Sequence, residues 1–393
     1  MRNGRPTISD VARMAGVSIG TVSHFLNGKV PVRQDTAKRI ENAIRQLSYR
    51  PSLFARALPA RVVKPDIDDN LLPRLLVVGH ICVDYLCRVP VLSGRDDRLP
   101  ASHIEKALGG PAANVAVAAA GIGEPYALRV DLATIVGDDS DSEWALNELV
   151  DRGVNALPIH RPANNRLPRA IVVIEADGRR TILHETFELS DIDLTANMVI
   201  EMPPTRSCLH VEGFHYERMI PSIARFRDLG WSVSLHTAGL PAGARNPVAF
   251  GDLVAATDLV FVNEETFREI YDVRAPRASM IDEAHRILSR IKPRGDVVLT
   301  RSEFGAVVFP KSGRLPIEVS ALPVDLVDAT GAGDAFAGVF LSLWLHGASL
   351  EVAARYAAIG ASLTTTAEGA QGYRVTAAEL EHLLSAEDVR RAV

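Results

Sequence analysis

The run Asp328-Ala329-Thr330-Gly331-Ala332-Gly333-Asp334 sets two glycines and an aspartate where the apolar stretch that follows marks the start of a helix. In such a turn the amides of Ala332, Gly333 and Asp334 can converge on an anion, favoured by orphan N–H groups and by the helix dipole. An aspartate in the same turn can take the proton of an attacking hydroxyl as a phosphoryl group arrives. The residue types suit phosphoryl transfer, although a glycine turn before a helix also serves structure alone. A second glycine-rich run, Gly109-Gly110-Pro111-Ala112-Ala113-Asn114-Val115-Ala116, stands earlier in the chain.

A different chemistry occupies the first sixty residues. Residues 1–64 hold twelve Lys and Arg against three acidic residues, a net of +9, so the remainder carries −14 of a whole-chain −5. A basic head on an acidic body points to nucleic acid, because phosphate neutralisation dominates non-specific affinity. Ile8, Val11, Ala12 and Ala15 fall at helical spacing and Gly16 is a stop signal. Ser18 can cap a second short helix to about Leu26. Asp35 can start a third, with Ala37, Ile40, Ile44 and Leu47 on one face. Periodicity alone fits either a helix-turn-helix or a three-helix bundle with no ligand.

The elements that must position the glycine-rich runs follow a regular rhythm. Leu75–Val78, Thr134–Val136, Cys208–Val211, Val233–Leu235, Leu259–Val262 and Val297–Thr300 read as buried strands separated by helical stretches. That alternation predicts an α/β body, a largely parallel, doubly wound sheet with helices on both faces and ligands at the carboxyl ends of its strands. Tyr85–Glu105 and Arg169–Glu185, the second with a turn at Ala176-Asp177-Gly178, form either a small second sheet or extra hairpins of the first. Pro59, Pro65 and the acids Asp66, Asp68 and Asp69 mark a linker. The expected domains are 1–60, a linker at 61–73, and 74–393.

The 393 residues are 47% apolar and 23% charged, which excludes disordered and fibrous classes. No apolar run reaches the roughly 18–20 residues that span a bilayer, and MRNGRPTISD lacks a secretory core, so a cytoplasmic protein with no membrane partner is expected. Cys82, Cys87 and Cys208 match neither a disulfide framework nor a zinc pattern. His80, His103, His210, His215 and His236 lack metal-ligand spacing and are read as satisfied polar residues. Trp144, Trp231 and Trp344 are read as core.

Thr7-Ile8-Ser9-Asp10-Val11-Ala12, Ala15–Ser18, Thr21-Val22-Ser23, Asn27, Tyr49, Pro51 and Ala55-Arg56-Ala57-Leu58 resemble the all-α headpiece of LacI-family repressors. The resemblance implies that Thr7, Ser18, Thr21, Ser23 and Asn27 belong to the DNA face, mostly at phosphates, and that Ile19, Gly20 and His24 face base edges. Gly20 offers no side chain, and His24 stands where arginine is usual, so a bidentate guanine contact is not expected. Residues 51–58 match a hinge helix that folds when two copies meet on DNA. Leu58 is either the minor-groove wedge or a linker residue against the body. A homodimer on a pseudo-palindromic operator is implied.

Asp328–Gly338 and Gly109–Ala116 resemble the two signatures of the PfkB, ribokinase-like carbohydrate kinases, over about 320 residues. This implies a ribokinase-like sheet with a small β lid, Asp334 as base, and Gly331, Ala332 and Gly333 forming the anion hole. Asp84, Gly109, Gly110 and Asn114 match sugar-binding positions. Glu212 either faces the sugar or caps the following turn. Asn263, Thr300, Thr330 and Gly369 match the nucleotide site, and the implied cofactors are ATP, Mg2+ and, through backbone oxygens near Asp328 and Thr330, K+. Two departures stand out. The usual Asn-x-x-Glu reads Asn263-Glu264-Glu265-Thr266, leaving Glu265 or Glu264 to support magnesium indirectly, and Thr300-Arg301-Ser302 replaces Thr-x-Gly. Two functions are compatible: a DNA-binding regulator that also phosphorylates a sugar, or a regulator whose kinase-like body only senses sugar or nucleotide.

Overall fold

The computed structural model describes residues 11, 14–17, 21, 34–46 and 71–391, apart from 93, 95–97, 161–165, 177–179, 186–194, 196–197, 199, 201 and 204. The chain divides into two compact units, Met1–Ile67 and Asp68–Val393.

In the first unit Val11 and Ala15 are buried and Gly16 has a φ of +63°, a left-handed conformation suited to stopping a helix. Helix α1 (Gln34–Gln46) has Asp35 in its first turn and buries Ile40 and Ala43, as the periodicity requires. Thr21 is helical and half-buried. Thr7, Ser18, Ile19, Gly20, Ser23, His24, Asn27, Leu47, Leu58 and segment 51–58, and the side chain of Ile44, lie outside the described residues.

The second unit runs β1 (Arg74–Val78), β2 (Cys82–Val89), β3 (His103–Gly109), α2 (Pro111–Gly121), β4 (Arg129–Ile135), α3 (Ser140–Asp151), β5 (Asn155–His160), β6 (Arg169–Glu175) and β7 (Arg180–His184). It continues with β8 (Ser207–Glu212), α4 (Tyr216–Asp228), β9 (Ser232–His236), α5 (Pro247–Ala256), β10 (Leu259–Asn263), α6 (Glu264–Tyr271) and α7 (Met280–Ile291). β11 (Asp296–Thr300), β12 (Ala306–Phe309), β13 (Ile317–Val319), α8 (Ala332–Leu345), α9 (Leu350–Thr364) and α10 (Ala377–Arg391) complete it.

The main sheet has the order β13-β12-β11-β10-β9-β8-β1-β4-β5, parallel except at β12 and β13. All six expected strands are present, with β5, β12 and β13 in addition. β4 starts five residues before Thr134 because its fully buried Asp131 breaks the apolar pattern. That carboxylate accepts from Arg74 Nε at 2.5 Å and Asn155 Nδ2 at 2.6 Å, which makes its burial tolerable. One face of the sheet buries Val78, Val211, Leu235, Val262 and Leu299 beneath Phe226, Phe250, Phe267 and Met280 of α4–α7. On the other face Phe261 of β10 meets Phe340 of α8 edge-on at 5.5 Å. Of the tryptophans only Trp231 is buried; Trp144 lies half-buried under Lys106 Nζ, 3.9 Å from its ring, and Trp344 is half-buried at a cavity rim.

A separate four-stranded sheet, β3-β2-β6-β7, accounts for the two segments that interrupt the rhythm. Lys106 and Arg169 anchor it to α3 through Asp141 (Nζ–Oδ1 2.7 Å; Nε–Oδ2 3.0 Å), and Arg88 reaches Glu368 (Nε–Oε2 2.8 Å). Among the described residues no helix is long and apolar enough to cross a membrane.

Candidate active site

Helix α8 starts after Gly331, whose φ is +74°. A Cβ there would lie 2.4 Å from that of Ala370, so glycine alone allows the turn to rest against residues 369–371. No side chain caps α8. The Ala332 amide turns back to Ala329 O at 3.4 Å and the Ala335 amide opens the helical ladder at Gly331 O, 2.8 Å away. Among the described residues the Gly333 and Asp334 amides have no acceptor. Two amides are thus left without acceptors where the sequence suggested three, and the Ala332 amide is turned back into the loop.

Asp334 is 8% exposed in the first turn of α8. Its Oδ2 accepts from Asn114 Nδ2 at 2.8 Å, and Asn114 Oδ1 accepts from Gln371 Nε2 at 2.9 Å. The glutamine thereby holds Asn114 with its donor toward the aspartate. Asp334 Oδ1 lies 3.1 Å from His236 Nδ1, without the alignment of a hydrogen bond.

On the side facing the small sheet, Asp84 projects from β2 over Gly109, where a Cβ would fall 2.2 Å from Asp84 Oδ2. Cys82 Sγ donates to Asp84 Oδ1 at 3.1 Å. Burial pushes the Asp84 carboxyl above its ordinary value, while the Cys82 thiol and nearby His80 oppose that rise. Gly110, with a φ of +100°, precedes α2, whose N-terminus also lacks a side-chain cap. Glu212 does not cap the turn that follows it. It is 1% exposed, its Oε1 receives His80 N at 2.8 Å and contacts His80 Nδ1 at 2.6 Å, and the turn after it has no side-chain cap.

Asn263 and Thr300 are register neighbours at the carboxyl ends of β10 and β11. Asn263 Oδ1 caps α6 by accepting from Thr266 N at 2.7 Å. Glu264 is buried between Arg268 (Nε–Oε1 2.9 Å) and Arg301 (Nε–Oε2 3.1 Å). Burial raises its pKa, but the two guanidinium groups outweigh that and hold its carboxyl below the usual value. Arg301 is therefore folded back onto α6, and of the two glutamates only Glu265 is exposed. Ser302, at the usual glycine position, adopts a φ of +51° and keeps the backbone shape a glycine would give. Asp328 Oδ1 accepts from Thr330 N and Oγ1 at 2.8 and 2.7 Å, and Oδ2 from Gly369 N at 2.9 Å, so its carboxylate clasps two loops together.

The structure brings Asp334, Gly333, Asn114, Gly109, Gly110 and Asp84 together around the α2 and α8 N-termini. It adds Gln371, and it sets His236, read from sequence only as a satisfied polar residue, beside Asp334. A histidine closing a parallel strand is the signal that could have found His236. One cavity, about 480 Å³, lies elsewhere, at the amino ends of the strands beside Ser207, Ser232 and Asp296; another, about 90 Å³, lies behind Asn114 and Gln371. Among the described residues no group of three His, Cys, Asp or Glu could hold a metal ion.

The model of the pfkB family carbohydrate kinases matches residues 72–377, and that of the bacterial regulatory proteins of the lacI family matches 7–52. An ATP-dependent ribose-1-phosphate kinase of Halopiger xanaduensis is 28% identical over 310 residues, 76% of this chain and 94% of that protein. The HTH-type transcriptional regulator RegA of Clostridium saccharobutylicum is 43% identical over 76 residues, 18% of this chain and 23% of that regulator. The second unit's fold is that of an Arabidopsis thaliana ribokinase solved with ribose and ATP, with a TM-score of 0.65 at 23% identity over 80% of this chain and 99% of that one. The chain thus belongs to the pfkB family of carbohydrate kinases, with a lacI-family DNA-binding domain joined to its amino-terminal side.

Proposed function

We propose that the second unit transfers the γ-phosphoryl group of ATP to a hydroxyl of a sugar or sugar-like alcohol, with Asp334 as general base. The observation that carries this is Asp334 itself: a buried carboxylate, oriented by Asn114, in the same helical turn as two amides without acceptors. The acceptor oxygen attacks phosphorus, its proton passes to Asp334, and the pair of the breaking P–O bond leaves with ADP. The Gly333 and Asp334 amides and the α8 dipole stabilise charge on the transferring group. Asp84, Gly109, Gly110 and Asn114 orient the sugar, and Asn263, Thr300, Thr330 and Gly369 line the nucleotide.

Magnesium carried with ATP would supply charge neutralisation at the phosphates, and Glu265, the exposed glutamate of its turn, would support it indirectly. A potassium ion suits the carbonyl oxygens around Asp328 and Thr330, because the Asp328 carboxylate is already occupied by backbone and hydroxyl donors. The ribose-1-phosphate kinase relative makes pentoses and their phosphates the first substrates to try.

The first unit binds a pseudo-palindromic operator as part of a homodimer in the cytoplasm, with domains at 1–60 and 74–393 and a linker at 61–73. The small sheet supports self-association: Ile104, Ile171 and Leu183 share its outer face and are 61%, 43% and 59% exposed. Sugar or nucleotide changes operator affinity by its differential affinity for two conformations. The test mixes ATP, magnesium and a panel of pentoses, hexoses, sugar acids and nucleosides with wild type and Asp334→Asn. ADP release by wild type that falls about 1,000-fold or more in the variant is expected; no release with any acceptor refutes the reading.

A further inference from the structure

The base has a second neighbour that the transfer reaction described above leaves without a role. His236 closes β9, is 7% exposed, and sits with Nδ1 3.1 Å from Asp334 Oδ1. Its other nitrogen faces the anion-binding turn: a Cβ placed on Gly333 would lie 3.7 Å from His236 Nε2. One imidazole therefore spans the carboxylate that collects the proton and the amides that meet the phosphoryl group. Phe261 of β10, its register neighbour, presents an edge to the ring at 6.3 Å and helps fix its plane.

The charged and titratable groups around it are few. α8 contributes Asp334. From β8, Glu212 is its register neighbour, but that carboxylate is bonded to His80. His210, also on β8, contacts Ser234 Oγ at 2.8 Å through Nδ1. Burial and the nearness of His236 bring His210 down to about 3, so it stays neutral. β10 contributes only Phe261. Asp334 is thus the carboxylate left to His236.

We infer that His236 is a positioning residue for phosphoryl transfer: it takes over from Asp334 the proton removed from the acceptor hydroxyl and holds the resulting imidazolium beside the Gly333 amide. The hydroxyl O–H breaks and its proton goes to Asp334 as the new O–P bond forms, and the old P–O bond leaves its pair on ADP. Protonated Asp334 then passes the proton to Nδ1, which must be unprotonated, while Nε2 keeps its hydrogen toward the transferring group. The relay restores the Asp334 carboxylate and places positive charge where negative charge gathers.

The inference rests on the phosphoryl-transfer reading, and the experiment separates the two. Steady-state kinetics with ATP and the accepted sugar are run on full-length wild type, His236→Asn, His236→Ala and Asp334→Asn, with melting curves for each. In His236→Asn kcat drops about 10- to 100-fold and both KM values stay within about threefold. Imidazole added to His236→Ala restores part of kcat without changing KM. A wild type that transfers nothing overturns both readings. A wild type that transfers, beside folded His236 variants with unchanged kcat, or a His236→Ala deaf to imidazole, overturns the inference alone.

Discussion

Replacing Gly338 by alanine sets two physical effects against each other with opposite signs. Gly338 lies inside α8, where alanine is intrinsically favoured by about 1 kcal/mol. Its Cβ, however, would lie 2.6 Å from Val115 O, 2.8 Å from Ala118 Cβ and 2.9 Å from Ala119 N, all on α2. Two of these are backbone atoms, which cannot rotate away. Restoring an ordinary 3.4 Å contact from 2.6 Å requires the helices to part by about 0.8 Å. Overpacking on this scale costs about 1–3 kcal/mol, so the net outcome is a loss of up to about 2 kcal/mol. At about 2 °C per kcal/mol for a unit of this size, the melting temperature falls by up to about 4 °C. The same shift stretches the Asn114–Asp334 hydrogen bond from 2.8 Å beyond bonding distance. Losing a hydrogen bond to a charged group costs about 1.5–3 kcal/mol, or about 10- to 100-fold in kcat. The assay pairs a melting curve with ADP release. A Gly338→Ala protein that melts higher and turns over normally would falsify the claim that α2 and α8 are held together to align Asn114 on the base.

Three other outcomes follow from single side chains. Glu264→Gln leaves Arg268 and Arg301 without a counter-charge and lowers stability at pH 7 by roughly 3 kcal/mol. Because the native Glu264 carboxyl lies below its unfolded value of about 4.5, its contribution is complete above that pH and is lost as pH falls through the lower native value. Acid titrations followed by circular dichroism should therefore converge for wild type and variant once pH falls below that native value, and parallel curves would count against the pairing. Ser302→Gly removes a left-handed serine and should raise the melting temperature by about 1–2 °C; a decrease would mean that the hydroxyl matters more than the strain. Asp84 has a raised carboxyl pKa, so its charged form is lost earlier on acidification than that of an ordinary aspartate. The sugar KM should rise on acidification toward that raised value with the ATP KM little changed, and Asp84→Asn should abolish that dependence.

The glycine turn before α8 was legible because it is local: Asp328 to Asp334 span seven positions, and Gly331 takes the left-handed conformation that the turn needs. The strands were legible where apolar runs were unbroken, as at Leu75–Val78, and illegible where a buried polar network intervened, as at Asp131. Glu212 could not be read, because its partner His80 lies 132 residues away and the choice between facing a ligand and facing a histidine is tertiary. His236 escaped for the same reason: nothing in Ser232–His236 announces that α8, a hundred residues later, brings an aspartate to it. The altered Asn263–Thr266 run was visible in sequence, but only the Arg268–Glu264–Arg301 arrangement shows which of its glutamates is committed.

The most direct test follows the phosphorus itself. Wild type and Asp334→Asn are incubated with ATP labelled at the γ position and an accepted pentose or nucleoside, and the label is traced by chromatography. Label on the sugar with wild type, and on neither sugar nor water with Asp334→Asn, is the result expected from a base held in the first turn of α8. Label released only as inorganic phosphate, or equal labelling by the two proteins, would contradict it.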